Sequence, residues 1–255
     1  MTSAARRILL MADVHANSAA LEAVLVAAGS FDRCIFLGDI VGYGPQPREA
    51  VRLLRTLAAE SPTLIIAGNH DRAAVERCTR WHGGAVFSGV DWDDWTAAQL
   101  DEDDRVWLAG LRPEAETTVG GSIARVCHFL RPTSSHISDA ALREEMDRRA
   151  GENDTPLLLF GHYHRWVDAC AGATRFINPG SVGQQRDGCP DARFAVWDAD
   201  GIEFRRVPYD VETTVAALSA VPMTEFYRST WEINYREGIV DLQREREAAC
   251  RHGRG

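Results

Sequence analysis

Short apolar runs that end in polar residues set the rhythm of the first two thirds of the chain. RRILLMAD, residues 6–13, carries four consecutive large apolar residues and reads as a buried strand. NSAALEAVLVAAGS follows, with Leu21, Val24, Leu25 and Ala28 on one helical face and Gly29 as a stop. CIFLGD is a second strand, and PQPREAVRLLRTLAAE a second helix with Pro47 suited to its first turn. TLIIAGNH is a third strand. Strand–helix–strand alternation at this interval predicts a parallel sheet built from βαβ units.

The rhythm breaks at about residues 72–118, which are rich in Trp, Asp and Gly and read as short helices forming a cap. Strands resume at ARVCHF, LLLFGH, TRFINPG, RFAVWDAD and IEFRRV, the last two joined as a hairpin at Asp200-Gly201. SDAALREEMDRRA reads as a helix capped by Ser138. From about residue 210 a helix, VETTVAALSA, opens a C-terminal extension, and RHGRG reads as a frayed end. The fold class is therefore α/β, organised as a single domain over 1–255.

Each predicted strand delivers a residue of metal-ligand type at its end. The first reaches Asp13-Val14-His15, the second Gly38-Asp39, and the third Gly68-Asn69-His70-Asp71. Later strands reach His128 and Gly161-His162-Tyr163-His164. Asp13 and Asp39 lie 26 residues apart, and Asp39 and Asn69 lie 30 apart, each about one βαβ unit of roughly 30 residues. Carboxyl ends of parallel strands share one sheet edge, where ligands bind. Two Asp, one Asn and five of the chain's eight histidines thus meet there. That is too many donors for one tetrahedral ion and suits two divalent ions sharing a carboxylate. The D-x-H and H-x-H spacings predict extended backbone, in which residues i and i+2 face the same way.

Composition narrows the chemistry. A net charge of −9 argues against a nucleic-acid polymer as partner, and the widely spaced six cysteines argue against a zinc knuckle or disulfide framework. The apolar run near the N-terminus is too short for a signal peptide, and no run reaches membrane-spanning length. A cytoplasmic protein is expected, with no membrane partner. Oxygen and imidazole donors without thiolate fit Mn²⁺, Fe, Co²⁺, Ni²⁺ or Zn²⁺. Cys127 should point to the face opposite His128.

In this order the five blocks resemble the calcineurin-like metallophosphoesterase superfamily: Asp13-x-His15, Gly38-Asp39, Gly68-Asn69-His70-Asp71, His128 and Gly161-His162-x-His164. The resemblance covers about residues 8–207. ADVHANSAALEAVL, LGDIVGYGPQP and FINPGSVGQQRDG look most like its small bacterial and archaeal phosphodiesterase-like branch, some of whose members hydrolyse dinucleoside polyphosphates such as diadenosine tetraphosphate. The resemblance implies a layered α/β sandwich with a small helical cap. It implies a first metal on Asp13, His15, Asp39 and His164, and a second on Asp39, Asn69, His128 and His162, with Mn²⁺ or Fe favoured. It further implies hydrolysis of phosphodiester or phosphoanhydride bonds in a small phosphorylated substrate, nucleotides included, by a metal-bridged hydroxide with His70 as general acid. A dinucleoside polyphosphate hydrolase is the alternative, and a non-catalytic scaffold on the same fold the second.

The chain departs from the protein-phosphatase pattern G-D-x-x-D-R-G: it reads Gly38-Asp39-Ile40-Val41-Gly42-Tyr43-Gly44, without the second Asp and the Arg. The carboxylate orienting His70 must then come from elsewhere, with Asp71 the nearest in sequence. A phosphate-clamping arginine must likewise be Arg72, Arg131 or Arg186. Trp81, Trp92, Trp95 and Trp107 read as a small cap core, or as a lid for a base. His136 lies on the loop after His128 and reads as surface or as a neighbour of substrate. Asn178-Pro179-Gly180-Ser181 reads as a plain turn or an anion cradle, and Asp101–Asp104 as a solvated helix start.

Overall fold

The computed structural model describes residues 7–77, 91–131, 137–152 and 155–240. Trp81, His136 and the terminal run 251–255 lie outside them. Two five-stranded mixed sheets face each other, with helices on both outer sides. In the first sheet β1 (Ile8–Met11), β2 (Arg33–Phe36) and β3 (Thr63–Ile65) are parallel, linked by α1 (Ser18–Ala28) and α2 (Pro47–Glu60), as the alternation predicts. After β3 come the helices α3 (Asn69–Glu76), α4 (Trp92–Gln99) and α5 (Glu102–Ala109).

The second sheet takes β4 (Glu114–Val119), β5 (Ser122–Cys127), β6 (Leu157–Leu159), β7 (Trp166–Ala171) and β8 (Thr174–Pro179), with α6 (Asp139–Gly151) before β6. Its order is β4-β5-β6-β8-β7, with β5, β6 and β8 parallel. The hairpin of β9 (Ala192–Asp198) and β10 (Gly201–Val207) then returns to the first sheet, β9 lying antiparallel to β1. The chain continues through α7 (Val211–Ala217), a 3₁₀ turn and α8 (Glu225–Glu237).

Strand alternation sorts the core into layers. Leu9 and Met11 pack with Leu21, Val24, Val51 and Leu54 of α1 and α2. Ile8, Leu10, Ile35 and Leu37 point the other way and meet Val126, Leu157, Leu159 and Ile177 between the sheets. Leu142 and Met146 of α6 cover Leu158, Phe160 and Phe176 on the far side. Cys127 lies in that layer, away from the sheet interface. Each large aliphatic side chain buried in this way contributes about 1.5–3 kcal/mol.

Residues 114–118, read from sequence as cap, are part of strand β4, the antiparallel partner of β5. Its residues are Glu-Ala-Glu-Thr-Thr-Val and most are at least partly exposed, so no apolar run announces it. The edge strand β7, Trp-Val-Asp-Ala-Cys-Ala, is a further strand beyond those read in the sequence, although most of its residues are apolar. Asp101 accepts the N–H of Asp104 at 2.9 Å and caps α5, but Asp104 is mostly buried and meets Arg55 at 3.0 Å, so this helix start is tied to α2 as well as solvated. Trp92 and Trp95 pack edge to face, and Trp92 also meets Trp231 of α8 at 5.3 Å. The described cap tryptophans are packing residues, with Trp107 set against the α1–α2 layer.

Among the described residues no helix is long and apolar enough to cross a membrane. Leu10→Ala, between the sheets, should lower unfolding free energy by about 2–5 kcal/mol in urea denaturation.

Candidate metal centre

Five of the seven predicted ligands sit on left-handed backbone: Asp13 (φ 57°), His15 (47°), Asp39 (60°), His162 (70°) and His164 (54°). The D-x-H and H-x-H pairs therefore converge by turning, not by extended alternation. Asp and His enter this region more readily than most side chains, yet such residues cost on the order of 1–3 kcal/mol each. Dense hydrogen bonding holds them there. Asp13 N donates to Gly38 O at 3.0 Å and His15 N to Asp39 O at 3.1 Å. From the loop after β8, Val182 N donates to Ala12 O at 2.9 Å, Gly183 N to Asp13 O at 3.0 Å, and Ser181 Oγ to the same Asp13 carbonyl at 2.8 Å. Asn178 Nδ2 reaches Gly161 O at 2.7 Å. Within the Asn-Pro-Gly-Ser turn itself, Pro179 has no N–H and Gly180 N donates to Asn178 Oδ1 at 2.9 Å, which fits the plain-turn reading.

Asn69 is the first residue of α3 rather than a strand end. The backbone of Gly68 approaches Asp39 so closely that a Cβ there would overlap the carboxylate. Asp71 fixes this junction. Its carboxylate accepts four backbone N–H groups, from Asp39 (3.0 Å), Ile40 (2.8 Å), Val41 (3.1 Å) and Gly68 (2.8 Å). Asp71 therefore does not orient His70; it ties the loop after β2 to the start of α3. Besides Asp39, the carboxylate that faces His70 is Asp93 of α4, with Oδ1 4.0 Å from Nδ1.

The donors fall into adjoining sets. Asp13, His15 and His164 form one, and Asp39, His128 and His162 another, with ligand atoms within 4.8 Å of one another in each. His15 and His164 bring their Nε2 atoms to 3.1 Å. Asp39 Oδ2 lies 3.6 Å from His15 Nε2 and 3.1 Å from His128 Nε2, so it faces both sets. Asn69 Oδ1 lies 3.1 Å from His162 Nδ1. All seven residues are buried.

Backbone carbonyls decide which imidazole nitrogens face inward. His164 Nδ1 lies 2.6 Å from Gln184 O and His128 Nδ1 lies 2.7 Å from Leu37 O. A carbonyl only accepts, so Nδ1 carries the proton in each ring and Nε2 is left toward the centre. This is how metal-ligating histidines are commonly held. Lone pairs and carboxylates packed together in a dry pocket repel, and a divalent cation reverses that repulsion. The residues therefore fit divalent metal.

The titration behaviour agrees. Burial drives His15 down to about 4, against the pull of Asp39. Burial, with Arg186 and His15 adding, holds His164 well below the ordinary imidazole range. For His128 the effect of burial is outweighed by Asp39 and Asp13, which raise it to about 9. Burial raises Asp13, and the neighbouring Asp39 adds to this. For Asp39 burial is overcome by His128 and His70, which hold it below the usual carboxylate range.

The three arginines part company. Arg186 reaches the centre, with Nη2 3.3 Å from His164 Nε2 and 2.6 Å from Gln184 Oε1. Arg72 lines a cavity of about 290 Å³ beside His128, together with Pro113, Cys127 and Phe129. Arg131 is held by Glu145 of α6 at 3.2 Å and is exposed, so it does not join them. Sequence reasoning missed two residues against His70: Asp93, and Tyr43, whose ring centroid lies 4.2 Å away. Tyr43 stands between two glycines at a positive φ of 61°, and the Gly-Tyr-Gly run was its available signal. Asp93 had none, because it lies in an acidic stretch far along the chain.

A family model for the calcineurin-like phosphoesterase superfamily domain matches residues 7–201. The chain is similar to a metallophosphoesterase from Sphaerobacter thermophilus, with 32% identity and a TM-score of 0.71 over 92% of this chain and 100% of that one. A hypothetical protein from Pyrococcus horikoshii, 21% identical, shares the fold with a TM-score of 0.71 over 88% of this chain and 97% of its own. An uncharacterized protein of Methanocaldococcus jannaschii is 28% identical over 229 residues, 80% of this chain and 88% of that one.

Metal uptake should release protons. In the metal-free site Asp13 is raised and His128 stands at about 9, so both hold protons at about pH 6, whereas His15 and His164 are already neutral. Apparent affinity should climb from about pH 6 to about pH 9 as those protons leave. Mn²⁺ titration calorimetry in two buffers of different ionisation enthalpy reads the release; proton-neutral uptake at the acid end would contradict the ligand assignment. Asp71→Ala leaves four backbone donors without their acceptor. It should destabilise the metal-free protein by at least about 3 kcal/mol in urea and weaken metal binding through Asp39.

Proposed function

As the chain belongs to the calcineurin-like phosphoesterase superfamily, we propose that it is a metal-dependent hydrolase of phosphodiester or phosphoanhydride bonds in small phosphorylated molecules. The observation that carries this reading is the two buried donor sets on either side of Asp39, with His70 at their edge. Asp13, His15, Asp39 and His164 would hold one divalent ion, and Asp39, Asn69, His128 and His162 the other. When bound, such a pair supplies a nucleophile from water near neutral pH and neutralises phosphate charge.

The chain's own residues supply the rest. Arg186 is placed to meet a phosphate oxygen beside His164. His70 is ligand-like in position, forming a set with His15 and Asp39, but its ring is also boxed by Tyr43 and Asp93. That suits it to giving a proton to the leaving oxygen. The P–O bonding pair passes to that oxygen, the imidazole N–H bond breaks and the new O–H bond forms. The net charge of −9 favours a small substrate over a nucleic-acid polymer. The cavity of about 290 Å³ beside His128, faced by Phe129 and Arg72, supports a second and narrower reading. A substrate with a flat ring next to phosphate would use it, as a dinucleoside polyphosphate would.

Purified protein supplied with Mn²⁺ should turn over members of a panel of phosphomonoesters, phosphodiesters and dinucleoside polyphosphates; silence across the panel would remove the enzymatic reading and favour a scaffold. His70→Ala should keep its metal content and lose about 10²–10⁴-fold on nucleoside leaving groups, with little loss on a nitrophenyl ester.

A further inference from the structure

We propose that Asp93 is the positioning residue for His70, supplied by α4 in place of the absent second Asp of the loop after β2. The inference rests on the phosphoesterase reading. Asp93 is 2% exposed, although its own helix does not need it there. The cap of α4 is Asp91, which accepts the N–H groups of Asp93 and Asp94 at 3.1 Å each. Burying a carboxylate is expensive unless a charged or donor group faces it, and the imidazole of His70 does so, with Nδ1 4.0 Å from Oδ1. That separation is an ion-pair distance and longer than a hydrogen bond. Such contacts are often long in resting sites and tighten when substrate binds.

The ring is held so that one edge meets Asp93. Tyr43 packs on it at 4.2 Å and His15 at 5.2 Å. Gly42, at φ +85°, lies so near that a Cβ there would come within 2.8 Å of His70 Cβ. The carboxylate is fixed from the other side. Trp92, the residue before it, packs on Trp231 at 5.3 Å, Trp231 stacks on Tyr43 at 5.9 Å, and Tyr235 OH reaches Tyr43 O at 3.4 Å. Asp93 and His70 are thus clamped by one aromatic cluster that α8 completes. A carboxylate beside Nδ1 fixes the orientation of the ring and leaves Nε2 as the nitrogen for the reacting centre. In the acid step the Nε2–H bond breaks and its proton joins the leaving oxygen as the P–O bond opens, leaving a neutral ring still protonated at Nδ1.

The test uses full-length protein with Mn²⁺ and phosphodiesters of graded leaving-group acidity. Asp93→Asn, nearly isosteric, should lower kcat about 10–100-fold on alkyl or nucleoside leaving groups, within the range of the acid it positions. It should leave an activated nitrophenyl ester within about twofold, KM little moved and metal content unchanged. Asp93→Glu should restore part of the loss, and Asp93→Asn should add nothing in a His70→Ala background. Loss that is equal on all leaving groups, further loss on top of His70→Ala, or no loss at all would overturn the assignment. If the wild type hydrolyses nothing, the phosphoesterase reading falls and this inference with it; if the wild type is active and Asp93→Asn matches it, only the role of Asp93 falls.

Discussion

Two carboxylates, Asp13 and Asp39, are buried within reach of the same imidazoles, and the molecule is arranged around the repulsion this creates. Water would ordinarily screen it, but all seven donors are buried. In the metal-free protein the relief is partial: Asp13 keeps its proton more tightly and His128 takes one toward Asp39. Divalent cations held there would relieve it further, because each donor would then face positive charge. The second ring nitrogens are already assigned to Gln184 and Leu37 carbonyls, so the pocket is organised before any ion enters. Preorganisation of this kind is what makes electrostatic stabilisation effective in a dry site.

That arrangement requires backbone that the chain would not adopt alone. Left-handed conformations at Asp13, His15, Asp39, His162 and His164 are supported from several directions. The turn after β8 braces the Asp13 segment, and Asp71 braces the Asp39 segment. Glycines stand where any side chain would intrude: Gly68 against Asp39, and Gly183 against the Val14 carbonyl. Stability is conceded locally at the rim and recovered in the layered core on both sides of the sheets.

The convergence of these side chains was legible in sequence because most of them follow an apolar run, and parallel strands bring such ends together. Asp13, Asp39 and Asn69 needed only strand order; His128 and His162 needed the further inference that a second sheet joins the rim. The local geometry was not legible, since D-x-H spacing is the same for extended and left-handed backbone. Asp71 was misread because adjacency to His70 in sequence says nothing of direction: one residue along a helix turns the side chain by about a quarter turn. Asp93 was invisible for the opposite reason, as it reaches His70 from a helix more than twenty positions away. The strand β4 was hidden because an edge strand with an exposed face carries polar residues.

The braces of the Asp13 segment come from residues 181–183, and the inward aim of His164 comes from Gln184. Translation delivers the ligands at 13, 15, 39 and 69 long before those partners exist. While the nascent chain emerges, the early carboxylates and imidazoles have no frame to hold them at ligating distance, because β9 must still return to lie beside β1. The donor cluster can therefore take its shape only once residues 181–184 have been made and β9 has folded back beside β1.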